Sequence, residues 1–142
     1  MNFHDPAHAQ VEAWRTRFDA LVRERMNTPF AWGRHDCCLW AADAVRVVSG
    51  VDPAPDVRET YQTAVQAAQT LRRMGGLAAV AARAGAPIAP LYAGTADIGL
   101  VSVEGRESLA VCAGPVWLVP GNTGLAAVAL AAASQAWRVA HG

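Results

Sequence analysis

The chain has 142 residues, and 53% of them are hydrophobic, which is enough for one domain to bury a core without disulfides or metals. Its 12 basic residues balance its 12 acidic residues, and the charges are scattered along the sequence. This balance argues against a nucleic-acid binder and against a protein held on a membrane surface. The most apolar stretch, residues 109–133, is interrupted by Pro115 and Pro120, which excludes one membrane-spanning helix there.

Helical patterns occupy the first part of the chain. The predicted helices cover residues 9–26, 36–50, 58–74 and 77–83. In the first, apolar residues recur every three or four positions between charged ones. Asp36 is the expected N-cap of the second helix and Gly50 its end, because aspartate and glycine are favoured at these two positions. Gly75 is expected to end the third helix.

Short apolar runs separated by turn residues follow Pro90. The predicted strands cover residues 98–103, 109–112, 116–119, 125–130 and 137–139. Their spacing is typical of a small antiparallel sheet. Helices first and strands second indicate an α+β fold. We expect one domain over residues 1–142, with an N-terminal helix to 28, a helical half to 90 and the sheet after it.

The three cysteines suggest reduced thiols. Cys37, Cys38 and Cys112 form an odd count without a spaced framework, which favours a reducing compartment. A zinc site built from Cys37, Cys38, His35 and Asp36 is disfavoured, because structural zinc prefers spaced ligand pairs and no second pair exists. We therefore expect no metal and no cofactor. The polar first ten residues lack the apolar core of a secretory signal.

The position of Cys37 in the sequence favours a nucleophilic thiol. It follows the expected N-cap Asp36, so it falls in the first turn of a helix. Unpaired backbone N–H groups and the helix dipole lower a thiol's pKa there, and they can also stabilise an oxyanion. A working site also needs a base, usually histidine. The alternative without a function is that Cys37 is a small buried core residue.

The segment around Cys37 resembles a known family. The pattern Phe30-x-Trp32-Gly33-x-x-Asp36-Cys37 is similar to the nucleophile segment of NlpC-type, papain-like cell-wall cysteine peptidases. It is closest to small members from phage tail modules and prophages, which also share a strand start like residues 95–98 and an end like Ala-Trp-Arg-Val at 136–139. The resemblance implies a papain-like fold, Cys37 as nucleophile and Cys38 in place of the usual serine.

The same resemblance implies that the catalytic histidine is missing. The family places it at the start of a strand, and the corresponding run here, residues 108–114, begins with Ser108. The histidines of this chain are His4, His8, His35 and His141. Of these, His35 is a candidate non-standard base close to Cys37, and His141 is a candidate only if a final strand brings it near.

These observations lead to a preferred function and two alternatives. The preferred one is a phage or prophage tail protein, at the tail tip or its assembly complex, that is a degenerate homologue of peptidoglycan peptidases. Its partners would be other tail proteins and peptidoglycan, without nucleic acid or membrane insertion. It would reside in the virion tail, and in the host cytoplasm during assembly. The alternatives are an active cysteine peptidase or amidase that cleaves peptidoglycan stem peptides, and a bacterial cytoplasmic module unrelated to phage.

Overall fold

The computed structural model describes residues 6–141, with side chains from residue 13 onward. The helices are α1 Pro6–Arg25, α2 Cys37–Ser49, α3 Ala64–Met74 and α4 Leu77–Ala81. The strands are β1 Gly85–Ile88, β2 Ile98–Val103, β3 Arg106–Cys112, β4 Val116–Gly121, β5 Gly124–Ala129 and β6 Ala133–Val139. Short 3-10 helices cover Pro90–Tyr92 and Leu130–Ala132. Helices followed by an antiparallel sheet confirm the predicted α+β class.

Helix α2 begins and ends as its sequence predicts. The Asp36 carboxylate accepts the backbone N–H of Leu39 at 3.0 Å, which satisfies one of the unpaired donors of the first turn. Gly50 closes the helix in the left-handed conformation, with φ at 83°. Between these caps the helix is buried on most of its surface, and Trp40 and Val48 are fully enclosed.

The third helix is shorter than its pattern indicates. Residues 58–63 form turns instead of helix, and Thr63 caps α3 by accepting the N–H of Gln66. Tertiary contacts explain the difference, because Arg58 is drawn to Asp43 at 2.7 Å and Tyr61 reaches Asp36. Helix α4 likewise stops at Ala81 instead of residue 83. Local propensity was overridden by buried polar partners.

The six strands form one sheet in the order β1-β6-β2-β3-β4-β5. All of its pairings are antiparallel, and β2 to β5 follow one another as neighbouring strands. Strand β6 returns to the other side of β2, and β1 pairs outside it. Strand β1, at the end of the expected helical half, is a strand that the sequence pattern did not predict.

The sheet separates two apolar layers. Helices α1 and α2 pack on one face, and Trp40, Ile98 and Val111 lie in that main core. The opposite face has a smaller cluster around Trp117, whose indole donates to the Leu130 carbonyl of the second 3-10 helix at 3.2 Å.

Strands β3 and β4 separate early. They pair only at Val111–Leu118 and Cys112–Trp117, although β3 continues back to Arg106. The part of β3 before Val111 is therefore bonded to β2 on one side and free of β4 on the other. Cys37 occupies the free side.

Candidate active site

Asp36 organises the start of α2. Its side chain is 1% exposed and accepts three hydrogen bonds: the N–H of Leu39 at 3.0 Å, the N–H of Gly33 at 2.9 Å and the hydroxyl of Tyr61 at 2.7 Å. Burial, followed by the bond to Asp36, raises the pKa of Tyr61. The carboxylate thus links the preceding loop, the helix and the turn before α3.

Gly33 makes this close approach possible. Its φ is 79°, and a Cβ at this position would lie 2.1 Å from the Tyr61 carbonyl oxygen. Any side chain would push the loop away from the turn that supplies Tyr61. The Trp32-Gly33 step of the sequence motif therefore has a packing reason here. Trp32 itself is 40% exposed and meets the Phe30 ring edge-on at 4.6 Å.

Cys37 is partly exposed, and its neighbours shift the pKa of its thiol. Its pKa is lowered, first by a hydrogen bond from the Cys38 thiol and further by the backbone N–H of Leu109 and the side chain of Ser108. Burial and the Asp36 charge act in the opposite direction. The pKa of Cys38 is raised, first by the same hydrogen bond. The two thiols are thus unequal, with negative charge favoured on Cys37.

Ser108 lies beside Cys37, at the start of β3. Its side chain is one of the groups that lower the pKa of Cys37, and its Oγ donates to the carbonyl of Leu109 at 3.0 Å. A single hydroxyl hydrogen serves one acceptor at a time. The role of Ser108 beside Cys37 stays a prediction.

His35 is turned to other partners. The residue is 3% exposed, its Nδ1 lies 3.3 Å from Nη1 of Arg25, and its ring meets Trp40 edge-on at 5.9 Å. Burial is the main cause that lowers the pKa of His35, and the Arg25 charge adds to it. Its Nε2 has no hydrogen-bond partner within the described chain. These contacts connect His35 to residues of α1 and α2. None of them involves Cys37, so none supports His35 as its base.

His141 lies at the other end of the sheet. Its ring stacks on Trp14 at 3.7 Å, next to Asp97. Asp97 precedes β2 and bonds to Cys112, four residues beyond Ser108, which is about 13 Å along a strand. His141 therefore does not reach the Cys37 thiol. His4 and the side chain of His8 fall outside the described residues.

A buried ion network surrounds Asp43, next to His35. Asp43 is 3% exposed and receives Arg25 at 2.8 Å and Arg58 at 2.7 Å. Arg58 continues to Asp52 at 2.7 Å. The sequence feature that points to this network is Asp43 itself, an acidic residue among the apolar residues of α2. This network fastens α1 and the loop before α3 to the helix that carries Cys37.

Comparisons with known proteins agree with this architecture. Residues 9–139 match the model of a family described as "Domain of unknown function (DUF6950)". The chain belongs to this family. No curated protein matches it. Among solved structures it is similar to the NlpC/p60 domain of the peptidoglycan hydrolase SagA, with a TM-score of 0.53 and 16% identity, covering 87% of this chain and 97% of that one.

At that identity the likeness concerns the fold alone. This DUF6950 domain has an NlpC/p60-like, papain-like α+β fold, which confirms the coarse part of the predicted resemblance. The roles of Cys37, His35, Asp36 and Ser108 and the phage relationship stay predictions. Within the described residues, no three His, Cys, Asp or Glu side chains gather as a metal would require. No helix in that same part of the chain is long and apolar enough to cross a bilayer.

Proposed function

We propose that this DUF6950 domain is a degenerate relative of the peptidoglycan cysteine peptidases and serves as a non-catalytic subunit of a phage or prophage tail. The observation that carries the proposal is Ser108 beside the Cys37 thiol, at the position where the family resemblance expects histidine. The tail tip or its assembly complex is the proposed place, and other tail proteins are the proposed partners. This assignment rests on the sequence resemblance.

Serine does not replace histidine in this chemistry. A base must take the thiol proton and later return a proton to the leaving amine, near neutral pH. A hydroxyl donates a hydrogen bond to a thiolate, but it does not hold a second proton at that pH. The site therefore keeps the means to favour thiolate without the means to protonate a leaving group.

The second candidate is an active peptidase or amidase acting on peptidoglycan stem peptides. The observation in its favour is the lowered pKa of Cys37, caused first by the Cys38 hydrogen bond and assisted by Leu109 and Ser108. Backbone N–H groups at the start of α2 would bind the oxyanion. This candidate needs a base other than His35 or His141, because the contacts that these two histidines make in the structure do not involve Cys37.

A digestion assay separates the two candidates. Purified peptidoglycan would be incubated with the native protein and with Cys37→Ala, and released fragments measured by mass spectrometry. We expect no fragments from either protein. Fragments that appear with the native protein and vanish with Cys37→Ala would overturn the non-catalytic assignment.

A second experiment addresses the tail. Particles and assembly intermediates would be purified from a strain that carries the gene and analysed by mass spectrometry. The expected result is this protein in tail-containing fractions, at a fixed ratio to other tail proteins. Its absence from every such fraction, together with recovery in the soluble host fraction, would favour the cytoplasmic module unrelated to phage.

A further inference from the structure

A cleft lies at the end of the sheet remote from Cys37. It measures about 300 Å³ and lies between α1, the turn before β2 and the end of β6. Its lining residues are Trp14, Arg15, Gly94, Thr95, Asp97, Arg138 and His141. The cleft therefore has two arginines and an aromatic wall, and the proposed function uses none of these residues.

Asp97 holds the parts of this cleft together through hydrogen bonds. The residue is 3% exposed and accepts the N–H of Gly94 at 2.8 Å, the N–H of Val139 at 3.0 Å and Nε of Arg138 at 3.4 Å. Arg138 also donates to the Tyr92 carbonyl at 2.6 Å. The carboxylate thus joins the two short motifs at residues 95–98 and 136–139, and it fixes one guanidinium at the cleft.

Arg15 supplies a charge that no carboxylate neutralises within the described chain. Its Nη2 donates to the Thr95 hydroxyl at 2.9 Å, and its side chain is exposed. A guanidinium has five N–H donors, so most of those of Arg15 stay available to a ligand. Since Arg138 is already opposed by Asp97, the cleft carries a surplus of roughly one positive charge.

The aromatic wall is neutral near pH 7. His141 stacks on Trp14 with an interplanar angle of 22°, and Trp14 is 5% exposed. The pKa of His141 is lowered, mainly by burial. The positive charge of the cleft therefore comes from the arginines, and the stacked rings give it an apolar side.

A strained residue stands between two lining residues of the cleft, Thr95 and Asp97. Ala96 has a φ of 74° and is completely buried, and its N–H donates to the Cys112 carbonyl at 2.8 Å. A non-glycine residue in the left-handed region costs free energy, and such residues gather at ligand-binding positions.

A larger cleft of about 540 Å³ continues from this one along α1. The two share Arg15 and Thr95, so their hydrogen bond marks the boundary. Beyond it the walls include the apolar side chains Phe18 and Val22, and also Asp19 and Arg23, whose opposite charges leave the surplus of about one positive charge unchanged. A ligand that reaches across the boundary would place a charged group at the arginines and an apolar group against α1.

We propose that this cleft binds a carboxylate attached to an apolar group, the chemistry of the C-terminal residue of a peptide. Arg15 and Arg138 hold the carboxylate, and the side chain of the ligand lies against Phe18 and Val22. A planar carboxylate suits the guanidinium fork. A monoanion also matches the single surplus charge, whereas a phosphate dianion would bring its second charge close to Asp97.

Titration followed by ¹H–¹⁵N NMR tests this site with N-acetyl-leucine as the probe and N-acetyl-leucine amide as its uncharged match. We expect saturable shifts at Gly94, Thr95 and the Trp14 indole with the acid and none with the amide. Inorganic phosphate serves as a third probe. Phosphate binding tighter than the acid would overturn the carboxylate assignment.

Arg15→Gln should weaken acid binding about tenfold or more, because it removes a charge-assisted hydrogen bond. Arg106→Gln, on the β2–β3 hairpin outside the cleft, is the matched control and should bind as the native protein does. Cys37→Ala should also bind normally, because this site is separate from the Cys37 end. Shifts that do not saturate, that appear equally with the amide, or that survive Arg15→Gln unchanged would each refute the proposal.

Discussion

The two ends of β3 place two thiols in opposite environments. Cys112, at the C-terminal end, is fully buried, and burial raises its pKa. Cys37, against the N-terminal half of the strand, is partly exposed, and donors led by Cys38 lower its pKa. The same residue type is thus a core residue in one place and a partly exposed thiol with a lowered pKa in the other. Hydrogen-bond donors and exposure decide which.

The largest expected difference is in alkylation rate. With iodoacetamide at pH 7.5, Cys37 should react at least about 100-fold faster than Cys112, because the buried thiol reacts only after local opening. Peptide mass spectrometry over time gives both rates. Cys37→Ser should leave a native protein that resists labelling. Equal rates at the two cysteines in the folded protein would remove the distinction.

Restoring the expected histidine should sharpen the contrast. Ser108→His would place an imidazole beside the Cys37 thiol, and ion-pair formation would lower the pKa of the thiol further. We expect alkylation of Cys37 at pH 6 to accelerate by about tenfold or more. Ser108→Ala, which adds no base, is the control and should not accelerate it. An unchanged rate in a folded Ser108→His protein would mean that position 108 does not present its side chain to Cys37.

The support beneath Cys37 should matter for stability. Asp36→Ala removes the cap of α2 and leaves the hydroxyl of Tyr61 unpaired, so we expect a loss of about 2–4 kcal/mol in the free energy of unfolding. Tyr61→Phe removes one hydrogen bond without orphaning a backbone donor and should cost about 1 kcal/mol. Urea denaturation measures both. Equal losses would contradict the role of Asp36 as the shared acceptor.

The smallest expected effect is the contribution of His35 to the pH dependence of stability. Its pKa is lowered, mainly by burial, so the unfolded chain takes up a proton before the folded one as the pH falls below 6.5. The stability conferred by the neutral ring is thus present above pH 6.5 and is lost as the pH falls toward the folded pKa. Urea denaturation should show a decline between pH 7 and 5 that His35→Gln reduces. A decline of the same size in the variant would assign it to other groups.

Local sequence signals were sufficient where caps and periodicity decide the structure. The ends of α2 follow from Asp36 and Gly50, and the β2–β3 hairpin follows from its turn at Glu104-Gly105. They were insufficient for β1, where Gly85 and Pro87 read as chain breakers. Pairing with β6, from Gly85–Val139 to Ile88–Ala136, makes that segment a strand. Such a pairing spans some fifty residues, and no window of local sequence contains it.

The candidate site divides in the same way. The motif and the expected helix start single out Cys37 and Ser108 from the sequence, and Cys37 does lie at the start of α2. The third hydrogen bond of Asp36 was not foreseeable, because Tyr61 reaches it from a turn that looked helical. The orientation of His35 was not foreseeable either, since its partner Arg25 and the neighbouring Asp43 come from different helices.

Pro120 weakens the pairing of β3 and β4 beyond the point where they separate. Continuing their register past Val111–Leu118 would bring Leu109 opposite Pro120, which has no N–H to give to the Leu109 carbonyl. One of the two ladder hydrogen bonds of that pair is therefore unavailable. The backbone of Leu109 instead contributes to the lowered pKa of Cys37. A missing amide hydrogen on one strand thus favours an open edge on the next, beside the thiol.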